Sequence, residues 1–169
     1  MSALLLLLIS CGGHASPTET AQDTGVPFAP TFGSWEAHFG ATWGGDCALD
    51  DTNTYLPADQ GWKIATYRYG FSVLDEVGYW HGCSLDGTAF ECDLPVTTND
   101  YSSIGYDIYA TYTPVWAGDF TDANDLSGAY TLHAECVGSD CDLPSSFGQN
   151  FTFPCTATTP LTASFLDPL

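Results

Sequence analysis

The chain has 169 residues, of which 21 are Asp or Glu and only two, Lys63 and Arg68, are Lys or Arg, so the formal net charge at pH 7 is −19. A field of this sign repels polyanions and excludes nucleic-acid binding. The length suits one domain with a sizeable core. Sixteen of the acids are Asp, a residue that favours turns over helix faces, which points to an all-β protein.

The N-terminus is an apolar run that ends in Leu8-Ile9-Ser10-Cys11. This motif resembles the lipobox of bacterial lipoproteins. The resemblance implies a lipoprotein signal peptide over residues 1–10 and a diacylated Cys11 that holds the protein to a membrane of the bacterial cell envelope, as an outer membrane lipoprotein facing the periplasm or the exterior. The seven apolar residues from Ala3 to Ile9 are too few to span a bilayer of about 30 Å as a helix.

Residues 11–30 are rich in Ser, Thr, Gly and Pro and show no apolar periodicity. Such a segment buries too little surface to fold, so we predict a disordered tether. The β domain is expected over residues 31–160, followed by a C-terminal edge strand or tail over residues 161–169.

Alternating apolar residues predict the first strand, in which one face carries Trp35, Ala37, Phe39, Ala41 and Trp43. After a long loop, one strand is expected from Trp62 to Leu74, with Arg68 on the same face as Trp62 and Ile64.

A hairpin is predicted around Asp86-Gly87, with Cys83 and Cys92 opposite each other. That pairing requires a two-residue turn that begins at Gly87 or a four-residue loop from Asp86 to Ala89.

Three further strands complete the pattern. One is expected from Ile104 to Tyr112 and ends at Pro114, another continues from Tyr130 to Cys136, and the last clear one runs from Phe147 to Cys155. The sequence thus predicts a disulfide-stapled antiparallel barrel or sandwich of about seven or eight strands.

Several short segments carry a resemblance to known proteins, namely Gly118-Asp119-Phe120, Leu126 to Tyr130, the Cys136 and Cys141 pair, and Phe153-Pro154-Cys155. In its short strands, recurring glycines and paired cysteines, the chain resembles small acidic bacterial lipoproteins with a lipocalin-like or similar β domain. The resemblance implies no activity.

Six cysteines remain if Cys11 carries lipid, and an even number suits an oxidising compartment. We favour a nested pairing: Cys83 with Cys92, Cys136 with Cys141, and Cys47 with Cys155. A zinc site is the alternative, but the spacings do not match the usual ligand pattern.

Two kinds of ligand site are conceivable. Oxygen-rich side chains crowd one turn, which could hold calcium through Asp119, Asp122, Asn124 and Asp125. A sugar or small apolar ligand could be lined by Trp80, Trp116, Tyr109 and Arg68.

No catalytic motif occurs, so the sequence does not predict an enzyme; a carboxylate pair such as Glu36 with Glu91 would need to meet in space. His38, His81 and His133 are expected to be hydrogen-bonded structural groups. The first expectation is a non-catalytic surface or interaction lipoprotein, and the alternative is a binding module for a carbohydrate or small apolar ligand.

Overall fold

The computed structural model describes residues 28–47, 57–67, 70–142 and 153–169, and within them the chain forms ten strands and one three-residue 3-10 helix, Ser102–Ile104. The strands are β1 (Gly33–Phe39), β2 (Gly44–Gly45), β3 (Gln60–Tyr67), β4 (Gly70–Leu74), β5 (Trp80–Asp86), β6 (Ala89–Asp93), β7 (Thr97–Asp100), β8 (Tyr109–Asp122), β9 (Asp125–Val137) and β10 (Cys155–Asp167). The lipobox, tether residues 11–27, Arg68 and residues 147–152 of the last predicted strand lie outside the described residues.

Eight strands close into an antiparallel barrel in the order β1-β3-β4-β5-β6-β8-β9-β10, because β10 also pairs with β1. Strands β2 and β7 lie outside this ring and pair with β10 and β8. The structure therefore confirms the predicted all-β fold and selects the barrel over the sandwich.

Side chains fill the barrel interior, as expected when eight strands enclose a space only just wide enough for them. Alternate residues of each strand point inward, so that β1 contributes Trp35 and Ala37 while Glu36 and His38 face out. The buried interior comprises Trp35, Ala37, Trp62, Ile64, Phe71, Val73, Cys83, Phe90, Cys92, Trp116, Phe120, Leu126, Leu161 and Ala163.

The cysteines pair as predicted, Cys47 with Cys155, Cys83 with Cys92 and Cys136 with Cys141. Cys83 and Cys92 are directly opposite on β5 and β6, and Asp86 pairs with Ala89, so the turn consists of Gly87 and Thr88. Gly87 has a φ of 62°, which glycine adopts without strain. Of the two turns that the sequence allowed, the two-residue one is present.

A second apolar cluster lies where β8, β9 and β10 extend beyond the barrel. It contains Cys47, Ile108, Ala110, Tyr112, Leu132, Ala134, Cys155 and Ala157. The Cys47–Cys155 bridge lies within this cluster and fixes the segment after β2 to the start of β10.

The single strand predicted from Trp62 to Leu74 is wrong, because the chain reverses there and forms the β3–β4 hairpin, in which Tyr67 pairs with Gly70. The reversal brings Phe71 and Val73 to the same interior as Trp62 and Ile64. Both strands show the same alternation, so the pattern did not reveal the turn between them.

The prediction that Pro114 ends a strand is wrong. Pro114 lies inside β8, opposite Leu132. On its other side β7 pairs with Tyr109 to Tyr112 and β6 pairs with Val115 to Asp119, so Pro114 falls in the gap between these partners. A proline is tolerated there because no ladder hydrogen bond from its nitrogen is required.

Two strand limits also differ from prediction. β1 ends at Phe39, so Ala41 and Trp43 belong to the following loop, and the Gly40 N–H donates to the Pro160 carbonyl at 2.8 Å. Residues 161–164 are not an edge strand or tail, because they pair with both β9 and β1, and β10 continues to Asp167 in its pairing with β1.

Candidate functional site

Large apolar side chains are displayed by the turn between β4 and β5 together with the first residue of β5, residues 75–80, which we call the β4–β5 turn. The exposed fractions of Val77, Tyr79 and Trp80 are 74%, 66% and 56%. Scattered exposed apolar residues are ordinary, whereas three within four consecutive positions form a patch that is typical of an interaction site.

The backbone of the β4–β5 turn is fixed by Asp75. Its Oδ1 accepts the Tyr79 N–H at 2.8 Å, its carbonyl accepts the Gly78 N–H at 3.1 Å, and its own N–H donates to the Tyr79 carbonyl at 3.0 Å. Gly78 has a φ of 94°, which favours glycine at that position. The displayed side chains therefore project from an ordered turn.

Asp75 also ties the turn to the barrel interior. Its Oδ2 lies 2.9 Å from Nε2 of buried His81, whose ring packs edge-on against Trp116 at 5.2 Å. Burial raises the pKa of Asp75, but hydrogen bonds from His81 and from the Tyr79 and Gly78 N–H groups outweigh it and leave the pKa below its ordinary value. Asp75 is thus an anion at neutral pH.

One exposed carboxylate lies in the apolar turn, and two more lie on the outer face of the strand that pairs with β5. Glu76 is exposed within the turn, and on β6, which pairs with β5, Phe90 and Cys92 point inward while Glu91 and Asp93 are exposed on the outer face. The β4–β5 turn therefore combines apolar contact area with a negative surrounding field.

The predicted ligand lining does not assemble. Trp80 and Tyr109 are exposed on β5 and β8, which β6 separates, and Arg68 lies outside the described residues. Trp116, expected at a surface, is only 4% exposed because β8 continues through Pro114 and directs its even-numbered residues inward. The sequence singled out Trp80 but not Val77 and Tyr79, although the Asp75 to Gly78 run is a readable turn signal.

Three of the predicted calcium ligands, Asp122, Asn124 and Asp125, are engaged in hydrogen bonds at the β8–β9 turn, while Asp119 lies on β8 with its Oδ1 3.5 Å from the Thr88 hydroxyl. Asp122 Oδ1 accepts the N–H groups of Asn124 and Asp125 at 2.7 and 3.1 Å, Asn124 Oδ1 accepts the Thr31 hydroxyl, and Asp125 Oδ1 accepts the Ser164 hydroxyl. Within the described ranges, no three His, Cys, Asp or Glu side chains come together as a metal site. These acids therefore order a turn, as Asp commonly does.

The carboxylates suggested as a catalytic pair do not face each other, since Glu36 is on β1 and Glu91 on β6, and three strands of the barrel lie between them. Glu36 instead lies 3.7 Å from His38, which is 3.0 Å from Asp59. The hydrogen bond to Asp59 raises the pKa of His38 on this exposed surface.

The remaining described histidine, His133, is hydrogen-bonded through Nδ1 to the Thr156 hydroxyl at 3.0 Å. Like His38 and His81, it has the structural hydrogen-bonding role predicted from the sequence.

No protein-family model, curated protein or solved structure matches this chain. In the described part of the chain, no helix has the length and apolar character needed to cross a membrane.

Proposed function

We propose that this protein is a lipid-anchored lipoprotein of the bacterial envelope and that its barrel is a non-catalytic interaction module, which binds a partner protein through the β4–β5 turn. One observation carries the proposal: Val77, Tyr79 and Trp80 are displayed to solvent by a turn whose backbone is held by Asp75. A preordered aromatic group loses little conformational entropy on binding, which is why aromatic residues dominate interface energetics.

The filled interior supports a surface role. Trp35, Ile64 and Phe71 occupy the middle of the barrel, the space that a ligand would take in a larger or emptier barrel. The outer surface is then the part of the described domain most available to a partner.

Charge defines the partner's chemistry. Against a protein of net charge −19, with Glu76 in the turn and further carboxylates on the outer face of β6, the complementary surface has an apolar pocket bordered by Lys or Arg. Such pairing accelerates association at low salt and weakens as salt screens the charges.

The tether joins the barrel at the end opposite the apolar turn, and this position supports a binding role for the turn. Thr31, just after the tether, donates its N–H to the Ala123 carbonyl at 2.7 Å, so the tether joins the barrel at the β8–β9 turn. β5 and β8 are both antiparallel to β6; the β4–β5 turn precedes β5 and the β8–β9 turn follows β8, so the two turns lie at opposite ends of the barrel. A lipid on Cys11 would attach the barrel to the membrane through the end opposite the apolar turn, which leaves the turn accessible to a partner.

Site-specific photo-crosslinking in intact envelopes tests the interaction. Val77 and Val137 are matched positions, exposed by 74% and 73%, so each is replaced by p-benzoylphenylalanine. We expect a discrete adduct from position 77 that the added substitution Trp80→Ala removes, and no such adduct from position 137.

The crosslinked protein must then bind the purified barrel saturably, with an affinity that falls on Trp80→Ala and at high salt. The proposal fails if both positions give the same adducts, if position 77 gives none, or if binding is indifferent to Trp80 and salt.

The anchor is tested separately by mass spectrometry of the native N-terminus. The expected result is a chain that begins at diacylated Cys11, and Cys11→Ser should release the protein from the membrane fraction. An unmodified Met1 or a lipid-free native form contradicts the anchor but leaves the interaction test intact.

A further inference from the structure

Five aromatic rings, which we call the mouth cluster, lie where the barrel interior meets the second apolar cluster: Phe39, Trp43, Trp62, Trp116 and Tyr130. Ring centroids of Trp62 and Trp116 are 4.5 Å apart, Phe39 lies 6.2 Å from both Trp62 and Tyr130, and Trp43 lies 5.5 Å from Tyr130. The rings thus form one continuous group. It joins the barrel core to the second apolar cluster, since Tyr130 packs against both.

Three hydrogen-bond donors in the mouth cluster have no acceptor among the residues that the structure describes. The indole Nε1–H groups of Trp43, Trp62 and Trp116 are buried, and none has a hydrogen-bond partner among the described residues. Elsewhere the chain satisfies such a donor, because Trp35 Nε1 donates to the Thr31 carbonyl at 3.0 Å. A buried donor without an acceptor costs about 1–3 kcal/mol, so three in one cluster require an explanation.

We propose that the mouth cluster binds an uncharged, planar molecule whose carbonyl oxygens accept hydrogen bonds from these indoles. The walls are aromatic and favour a flat apolar ring, while the free polar groups are donors and require acceptors. The net charge of −19 disfavours an anionic acceptor, and a cation would not satisfy a donor. The inference is independent of the proposed function, which uses the outer surface.

Trp43 is the ring that would move to admit the ligand. It is the one member of the mouth cluster outside the strands of the barrel, and it is half-buried on a loop whose neighbours Thr42 and Gly44 are exposed. Rotation of its side chain opens the cluster without disturbing a strand, whereas Trp62 and Trp116 are held on β3 and β8.

The test uses the full chain with nitrogen-15 labelled indoles and two matched probes, duroquinone and durene. These share a tetramethylated six-membered ring, but only duroquinone carries carbonyl acceptors. We expect duroquinone to shift the indole N–H signals of Trp43, Trp62 and Trp116 saturably downfield. The signals of hydrogen-bonded Trp35 and exposed Trp80 serve as internal controls and should not respond.

Trp62→Phe retains an aromatic ring but removes one donor. It should weaken duroquinone binding by about threefold to tenfold, the amount expected for one hydrogen bond, and leave durene binding unchanged. Trp80→Phe should alter neither probe. The proposal is overturned if no indole of the mouth cluster responds, if durene binds as tightly as duroquinone, or if cross-relaxation shows bound water on these N–H groups that duroquinone does not displace.

Discussion

Gly118 on β8 and Gly128 on β9 lie directly opposite each other, and the position that a Cβ would take on either glycine is already occupied by backbone atoms of the other strand. The clash for Gly128 would be with the Ala117 carbonyl, and for Gly118 with the Ser127 carbonyl. Close contact between these strands therefore depends on the absence of two side chains.

Gly128→Ala should lower the free energy of unfolding by more than about 2 kcal/mol, because backbone rather than a flexible side chain must move. Gly82→Ala is the matched control on β5, since its Cβ would meet no atom. That change should be neutral or stabilising by up to about 1 kcal/mol. Urea unfolding followed by tryptophan fluorescence measures both, and equal effects would contradict the packing argument.

The pKa of Asp75, lowered below its ordinary value of 3.8, predicts how stability varies with pH. A carboxylate with a depressed pKa in the folded state stabilises the fold above its unfolded-state pKa, and this contribution is lost as pH falls through the folded-state pKa. Asp75→Asn should therefore lower the urea midpoint at pH 7, and the gap to the native protein should narrow towards pH 2. A gap that stays constant over this range would show that the carboxylate charge is not responsible.

The longest-range disulfide and the disulfide inside the barrel should contribute unequally to stability. Cys47 and Cys155 are separated by 108 positions, and the chain-entropy model gives their bridge about 4–5 kcal/mol. The Cys83–Cys92 bridge, separated by nine positions, should contribute about 2–3 kcal/mol. Paired Cys→Ala variants compared by urea unfolding test this order. A larger loss for the short bridge would mean that packing inside the barrel outweighs loop closure.

Truncation to Ala should lower the free energy of unfolding strongly at Trp116 and hardly at all at Trp80. Trp116→Ala removes a ring packed on Trp62 and His81 and should cost about 3–5 kcal/mol. Trp80→Ala removes a largely exposed ring and should change stability by no more than about 0.5 kcal/mol. The second result is also needed for the crosslinking experiment, since loss of an adduct is informative only if the barrel remains folded.

Local signals explain what the sequence predicted correctly. Cys83 and Cys92 are equally distant from the turn that begins at Gly87, so a two-residue turn places them opposite each other. The alternation that includes Trp35 and Ala37 identifies a strand with one buried face. The hairpin register and the strand alternation are both set by residues close together in the chain, so they can be predicted from the sequence. Barrel and sandwich require the same alternation, so only the pairing of β1 with β10 separates them.

The errors arose where distant strands decide the outcome. Trp116 appeared to lie near a turn because Pro114 seemed to end a strand, but the gap between β6 and β7 accommodates the proline. The neighbours of Trp62 in the mouth cluster come from β1 and β8, and no local pattern indicates that Trp62 and Trp116 meet. The candidate sites could therefore be predicted only as residue types and not as an arrangement.

Closure of the barrel by β1 and β10 has a consequence during synthesis. The partners Phe39 and Leu161 are among the most distant pairs in the chain, so closure carries a large loop entropy and must follow the local hairpins. Until β10 has emerged, β1 and β9 each present an unpaired edge to which another chain can add. A nascent or truncated chain that ends before β10 is therefore prone to aggregate through these edges. Until β10 is synthesised, such a chain depends on the factors that bind it to keep the edges covered.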